Sequence, residues 1–327
     1  MKELKMPIHV LQLLSLAGRI RPHHVSLPQI EVDLRKCMAG YKGEKAIEYH
    51  LRFLDKERYL ILHDLRLRIG NTHLQIDVLI LTPHCYIITE VKNIQGTLYF
   101  DPVFNQLIRS KDGFEEGFQD PTNQVKRQQF QLLEWLKMNN LPKAPLHSFI
   151  GISDPKTILK TSLNNHNISK SISHGIELPF KIENLRQKYN EPNVSQKDLK
   201  RIGRRLIKKN EPLIFDVFRK YGILQSDILK GVRCLKCERT PIRRDRGKWV
   251  CPTCEYDSKY AHYSSIMDYA LLINLNFTNR EISDFLLVDS KDITYGLLKE
   301  MGLPREGRNY KMPLDFVINH GYKRENY

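Results

Sequence analysis

Apolar residues recur along this chain with two different periods, and the switches between them outline its organisation. Near the N-terminus Val10, Leu13, Leu14 and Ala17 fall on one face of a short helix, and residues 1 to 37 read as a helical lead-in broken by Pro22 and Pro28. From Gly43 the stretch GEKAIEYHLRFL keeps the helical period, with Ala46, Ile47, Leu51 and Leu54 on one stripe and Glu44 in the first turn. A period of two then takes over in YLILHDLRL, which ends at the turn residues Gly70 and Asn71, and continues through QIDVLILTPHCYIITEVKN and QGTLYFDPVFNQLIRS. Asp120 and Pro121 introduce another helix, TNQVKRQQFQLLEWL, whose apolar face is expected at Phe130, Leu133 and Leu136, and LHSFIGIS reads as one more strand. Helix, several strands, helix, strand is the order of an α/β domain with a mixed sheet flanked by helices.

One stretch breaks its own pattern. In QIDVLILTPHCYIITEVKN, residues 75 to 93, Asp77, Glu90 and Lys92 interrupt a hairpin otherwise built for burial. If Pro83 and His84 form the loop, Asp77 stands opposite Glu90 and Gln75 opposite Lys92. Alternation then puts those four on one face and Ile76, Val78, Ile80, Ile87 and Val91 on the other. Directly opposed carboxylates have Cβ atoms roughly 5 Å apart, and at an effective dielectric of about 20 their repulsion is on the order of 3 kcal/mol. A divalent cation reverses the sign. Mg²⁺ (or Mn²⁺) takes hard oxygens from one or two protein carboxylates and keeps other positions for water and phosphate. Lys92 projects into the same space, and the set suits phosphodiester hydrolysis. The plain alternative is an exposed hairpin face carrying a Glu–Lys or Asp–Lys contact.

The hairpin resembles the D…ExK core of the PD-(D/E)xK nuclease superfamily. More closely, the ordered series GEKAIEYHL, LILHDLRL, QIDVLIL, IITEVKNIQGTL and DPTNQVKRQ, over roughly residues 38 to 160, is similar to the nuclease-related domain, NERD, of bacterial proteins. That resemblance implies a restriction-endonuclease-like fold in which Asp77 and Glu90 bind the metal and Lys92 is the catalytic lysine. It also implies that Glu44 joins the metal site directly or through water, and that Gln124 contacts phosphate or supports the site. Gln75 is given a supporting role at most. Two departures are visible: Ile76 replaces the superfamily's proline before the aspartate, and Phe104 and Asn105 stand where a tryptophan is expected. Read without the resemblance, Glu44 is equally a helix-dipole partner near an N-terminus, and Gln124 a polar residue of a first helical turn. His63, His73 and His84 flank the strands as surface or turn residues.

A second metal signal follows. RCLKCERTPIRRDRGKWVCPTCE holds two C-x2-C pairs, Cys234 with Cys237 and Cys251 with Cys254, separated by thirteen residues. This is the spacing of a four-cysteine zinc ribbon, and four thiolates leave Zn²⁺ no open position, so the ion is expected to be structural. No βαβ pattern surrounds either pair, which disfavours a redox role. Upstream, QKDLKRIGRRLIKKN is a basic helix whose Lys200, Arg201, Arg204 and Arg205 are either a solvated face or a phosphate-facing one. Downstream, three helices with a short turn near Val288 and Asp289 suggest a helix-turn-helix, with Lys291, Tyr295 and Lys299 as candidate contacts, or else a plain helical bundle.

The formal net charge of +15 suits a polyanionic partner. His9, Gln12 and Ser15 interrupt the first apolar run, which is therefore not read as an export signal, and nothing approaches the roughly eighteen continuous apolar residues of a membrane span. Paired cysteines without an export signal are expected in the reducing cytoplasm. The expected organisation is a helical lead-in (1–37), a nuclease-like domain (38–190), a basic helical linker (191–232), the ribbon (233–260) and a C-terminal helical domain (261–327). The function expected is metal-dependent cleavage of nucleic acid, with DNA the favoured polymer; the alternative is a nucleic-acid-binding or regulatory protein whose nuclease-like core lacks turnover.

Overall fold

The computed structural model describes residues 2–162 and 168–320; residues 163–167, in the expected nuclease-like domain, and residues 321–327, the end of the expected C-terminal domain, lie outside the described residues, as does Met1. Two helices open the chain, α1 (Ile8–Arg19) and α2 (Leu27–Leu51). The expected break at Pro28 and new start at Gly43 do not occur, because α2 runs unbroken for 25 residues. Pro28 sits in its first turn, where a missing N–H has no intrahelical acceptor to lose. Glu44 therefore lies deep in a helix rather than in a first turn, and the helix-dipole explanation of it falls away.

The described residues form two compact units, one of residues 2–5 and 38–212 and one of residues 6–37 and 213–320. Residues 6–37 of the expected lead-in thus belong to the second unit and residues 2–5 to the first, and residues 191–232 are divided between the two.

The first unit carries β1 (Leu60–Ile69), β2 (Thr72–Leu81), β3 (Tyr86–Lys92), β4 (Thr97–Asp101), β5 (Gln106–Lys111), β6 (Phe114–Gln119), α3 (Pro121–Met138), β7 (Leu146–Ile152), β8 (Ile158–Thr161), α4 (Ile168–Ser171), β9 (Ile172–His174), α5 (Leu178–Arg186) and α6 (Gln196–Lys208). Its main sheet has the order β1-β2-β3-β7-β9, with β1, β2 and β3 antiparallel and β7 and β9 added in parallel. A smaller sheet has the order β6-β5-β4-β8. Leu62, Leu79 and Ile88 pack with Leu132 and Trp135 of α3 and with Leu199 and Ile202 of α6. On the other face Val78, Ile80 and Ile87 pack with Ile47 and Leu51 of α2 and with Leu178 and Ile182 of α5. Helices on both faces are why the central strands are nearly continuous aliphatic runs.

Asp120 caps α3 by accepting the Thr122 N–H at 2.7 Å, with Pro121 in the first turn. The expected apolar face of α3 is corrected: Phe130 is 68% exposed, and the buried stripe is Val125, Gln128, Leu132, Trp135 and Leu136. Gln128 belongs to that stripe for its hydrogen bonds.

The second unit adds α7 (Val217–Tyr221), β10 (Arg243–Asp245), β11 (Lys248–Val250), β12 (Asp257–Ser258), α8 (Ala261–Leu272), β13 (Asn276–Thr278), α9 (Asn279–Leu286), α10 (Lys291–Glu300), β14 (Arg305–Glu306), β15 (Asn309–Lys311) and α11 (Leu314–His320). Its two small sheets are β10-β11-β12 and β13-β15-β14. α1 is central to its core rather than peripheral: Leu11, Leu13 and Leu16 are buried, and so are the polar Gln12, Ser15 and Arg19, while Leu14 and Ala17 of the expected face are only half-buried. Gln12 and Arg19 have buried partners. Gln12 Nε2 donates to Leu271 O at 2.9 Å, and its Oε1 accepts from Phe215 N at 2.8 Å. Arg19 Nε donates to Asp268 Oδ2 at 2.8 Å, and Arg233 approaches the same oxygen at 3.4 Å. Replacing Asp268 by alanine leaves two buried guanidinium groups without that counter-charge. The expected loss is about 3–5 kcal/mol in the second unit's stability, read as a lower denaturant midpoint.

Among the described residues no helix is long and apolar enough to cross a membrane.

Candidate functional site

The loop of the β2–β3 hairpin closes at Pro83 and His84, as Thr82 N donates to Cys85 O at 3.0 Å and the ladder runs Leu81↔Tyr86, Ile80↔Ile87, Leu79↔Ile88 and Val78↔Thr89. This is the register expected from the sequence. The ladder then stops at Val78↔Thr89. The next hydrogen-bonded pair would join Ile76 to Val91, but Val91 N donates instead to the Asp77 carboxylate, 2.8 Å away.

β1 is irregular at the same level. Its pairs with β2 include His63↔Val78 and Leu65↔Ile76, leaving Asp64, opposite Asp77, out of the ladder with a φ of +45°. That backbone region is rarely occupied by residues other than glycine and is concentrated at functional positions. The alternation reverses here. Ile76 packs in the core on the α3 side with Leu79, while Val78 and Ile80 pack on the α2 side, so the three do not share a face as the sequence had suggested.

Around this break, groups from both helical layers reach the acids of the hairpin. From α3, Gln128 Nε2 donates to Glu90 Oε2 at 2.8 Å and to Gln75 O at 3.0 Å. Lys92 Nζ donates to Glu90 Oε1 at 2.7 Å and to Gln124 Oε1 at 3.0 Å. Gln124 and Gln128, one turn apart on α3, thus hold the lysine and the glutamate of the ExK strand, while the Gln75 side chain is exposed and only its carbonyl takes part. From α2, Glu44 is raised to about 7, first by burial and then by the charges of Asp64 and Glu90, with Lys2 pulling the other way. Asp77 is held well above the usual carboxylate range, first by burial and then by Glu90 and Glu44, against the Val91 N–H and Lys92.

Lys2 completes the group: its Nζ donates to His63 O at 2.7 Å and Asp64 O at 2.6 Å, and burial lowers its pKa. Sequence reasoning missed Lys2, Asp64 and Gln128. Asp64 had a signal, an acid inside the apolar strand LILHDLRL, and Gln128 lies four residues from Gln124 on the same helix face. Lys2 had none.

Four acids, Glu44, Asp64, Asp77 and Glu90, thus share a neighbourhood with two lysines, Lys2 and Lys92. A carboxyl that takes up a proton near neutral pH to relieve crowding is one that a divalent cation relieves equally well. The acids are not a closed cage. Among the described residues only the cysteines form a set of three or more whose ligand atoms all lie within 4.8 Å.

The shift of Glu44 has a testable sign. Its folded pKa of about 7 lies above the ordinary 4.5, so the metal-free protein loses stability as pH rises between those values, and the penalty is fully present above 7. Glu44→Gln is expected to remove the Glu44 share of that slope, leaving the share of Asp77, and to raise metal-free stability at pH 8 by on the order of 1–2 kcal/mol, after allowance for solvent screening of a half-buried group. Mg²⁺ should stabilise the wild type more at pH 8 than at pH 5.5, and thermal melts at the two pH values read both effects.

The four cysteines converge as their spacing predicts. Cys234 and Cys254 have sulfurs 3.6 Å apart, and Cys237 and Cys251 3.5 Å. A tetrahedral ion with Zn–S near 2.3 Å requires sulfurs about 3.8 Å apart, so the set fits zinc. The Lys236 and Cys237 N–H groups point at Cys234 Sγ from 3.4 and 3.5 Å, supporting a thiolate there.

The other expected contacts lie on α6 and α10. On α6, Lys200, Arg201, Arg204 and Arg205 form an exposed stripe while Leu199, Ile202 and Leu206 face the core, and Arg201 pairs with Asp198 at 2.9 Å. Lys291, Tyr295 and Lys299 are exposed on α10.

Comparison with known proteins gives one finding. Residues 39–153 match the family model of the nuclease-related domain, NERD, a span that runs from α2 to just beyond β7 and includes Glu44, Asp64, Asp77, Glu90, Lys92, Gln124 and Gln128. No curated protein and no solved structure gives a significant match to the chain.

Proposed function

We propose that the chain is a metal-dependent nuclease that hydrolyses phosphodiester bonds in nucleic acid, with DNA as the favoured substrate. The observation that carries this reading is the convergence of Asp77, Glu90 and Lys92 at a break in the sheet, inside the segment that matches the nuclease-related family. Asp77 and Glu90 would hold Mg²⁺ or Mn²⁺, with Glu44 completing the acidic set directly or through water. Bound there, the ion would activate water and neutralise charge on the phosphate. Lys92 has its ammonium fixed between Glu90 and Gln124, where it can orient the attacking water or stabilise the negative charge that builds on the phosphorane oxygens. Gln124 holds that ammonium and can pass a hydrogen bond to the scissile phosphate. Gln128 keeps Glu90 turned toward the site. The exposed cations of α6 would attract the polyanion without reading its sequence.

Purified protein incubated with plasmid and linear DNA should cut in Mg²⁺ or Mn²⁺, stop in chelator, and lose cleavage in Glu90→Ala. Cutting that continues in Glu90→Ala at the wild-type rate overturns the assignment. A second reading, a nucleic-acid binder without turnover, draws on the fact that both Glu90 oxygens already accept hydrogen bonds, from Lys92 and Gln128. It expects salt-sensitive binding and no product at any metal concentration.

A further inference from the structure

The second unit holds a surface that owes nothing to the hairpin site. Thr278 Oγ1 accepts the Glu281 N–H at 3.3 Å and Glu281 Oε2 accepts the Thr278 N–H at 2.7 Å, a capping box that starts α9. α9 ends at Leu286 with Leu287 as its C-cap in the left-handed region at φ +58°, and three residues after Leu287 Ser290 caps α10 through the Ile293 N–H at 3.3 Å. Ser283 Oγ donates to Val288 O at 2.6 Å and Thr294 Oγ1 to Ser283 Oγ at 3.3 Å, so buried hydroxyls fix the angle between the helices. This is a helix-turn-helix with its turn locked from inside.

The chain after α10 supplies what the sequence pattern did not show. β14 and β15 form a hairpin turned at Gly307 (φ +60°) and Arg308. Its second strand pairs with β13, the strand that leads into α9, through Asn276↔Lys311, Phe277↔Tyr310 and Thr278↔Asn309. Phe277 and Tyr310, both buried, stack at 6.5 Å and root the hairpin in the core. The Arg305 guanidinium lies 5.4 Å from the Tyr310 ring and 5.6 Å from the ring of Tyr295 on α10. Hairpin and helix therefore present one continuous surface.

On that surface Lys291, Lys299, Arg305, Arg308 and Lys311 are exposed against the acids Asp292, Glu300 and Glu306, and Tyr295, on the same helix side as Lys291 and Lys299, is 42% exposed. A cationic surface with a half-exposed tyrosine among its lysines matches a groove walled by phosphates and floored by base edges and methyl groups. An α-helix about 10–12 Å across enters the major groove of B-DNA, about 12 Å wide, whereas the major groove of A-form RNA is too narrow for it.

We propose that α10 and the β14–β15 hairpin form a winged docking surface for duplex DNA, with Lys291, Tyr295 and Lys299 of α10 toward the major groove and Arg308 at the hairpin tip on the flanking backbone. Arg305 links the two by packing between Tyr295 and Tyr310, so it positions the hairpin as well as adding charge. The site shares no residue with the acidic cluster and stands whether or not that cluster cleaves.

The test uses the full-length protein in Mg²⁺-free buffer, with fluorescence anisotropy on a labelled 30-base-pair mixed-sequence DNA duplex, the same sequence as RNA duplex, and single-stranded DNA. Arg308→Glu touches no core residue and is expected to weaken duplex-DNA binding roughly tenfold and to reduce the slope of log K against log salt by about 1. Tyr295→Ala is expected to weaken DNA-duplex binding with little change in that slope. The DNA duplex should bind more tightly than either other polymer. Wild-type affinity in both variants, or RNA duplex or single strands bound as tightly as the DNA duplex, overturns the proposal. Cleavage by the first unit enters none of these readouts.

Discussion

Lys92→Ala is expected to lose cleavage by at least about 10²-fold and to lose stability only when metal is absent. The first effect follows from the proposed role, since removing one preorganised donor from a developing oxyanion typically lowers the rate by about 10²–10³. The second follows from the neighbours. Glu90 is buried and its Oε1 accepts from the Lys92 ammonium at 2.7 Å, so alanine leaves the carboxylate with Gln128 alone. A charged group deprived of a hydrogen bond of this kind destabilises by on the order of 1–3 kcal/mol. A divalent ion can replace the missing positive charge for folding but not the placement of the ammonium for catalysis. Melting curves in chelator should therefore show a lower midpoint for Lys92→Ala, millimolar Mg²⁺ should recover most of it, and initial cleavage rates in that same Mg²⁺ should stay depressed relative to the wild type. Lys92→Arg, which keeps charge but changes length and shape, is expected to recover the metal-free stability without the rate. Full activity in Lys92→Ala would show that the ammonium serves structure alone. A stability loss that Mg²⁺ leaves untouched would show that no divalent ion binds beside Glu90.

What could be read in the sequence was the part written locally. The β2–β3 register follows from a short loop and an alternating pattern, both contained within residues 75 to 93. The cysteine pairs announce themselves by spacing. Failures occur where a distant residue decides the local outcome. Phe130 looks like a core position by period, yet the core face of α3 is rotated to bring Gln128 onto Glu90, so a polar residue is buried and an aromatic one is left outside. α2 looked like two helices because Pro28 and Gly43 are common breakers, but one lies in a first turn and the other lets Asn93 approach: a Cβ at Gly43 would come within 2.6 Å of Asn93 Cβ. Lys2 reaches Asp64 from the far end of the chain, with no pattern to mark it. The strands β13, β14 and β15 are two or three residues long, too short to display any period, and their pairing becomes visible only when Tyr310 is seen against Phe277.

Removing zinc is expected to unfold the ribbon, and Trp249 offers a direct report. The segment from Cys234 to Cys254 has little apolar mass of its own. Ile242 and Trp249 are its main buried side chains besides Cys234 and Cys251, and its strands β10 and β11 are three residues each. So small a core cannot offset the conformational entropy of ordering its loops. In isolated zinc modules the metal contributes about 10–16 kcal/mol of apparent binding energy that is at once folding energy. Here Trp249 also leans on α8, donating from Nε1 to His262 Nδ1 at 3.1 Å, so some order should survive and the loss should be several kcal/mol rather than that whole amount. The protein has two tryptophans, Trp135 and Trp249, and Trp135→Phe isolates the second. In that background, elemental analysis should find about one zinc per chain. A strong chelator should shift the Trp249 emission to the red as the indole meets water, and Zn²⁺ added back should reverse the shift. Cys251→Ser should reproduce the chelated spectrum without chelator, because a neutral hydroxyl is a poor substitute for a thiolate ligand. Emission indifferent to the chelator in zinc-loaded protein would mean that packing on α8 alone holds the ribbon, and protein purified without any zinc would mean that the four sulfurs converge for another reason.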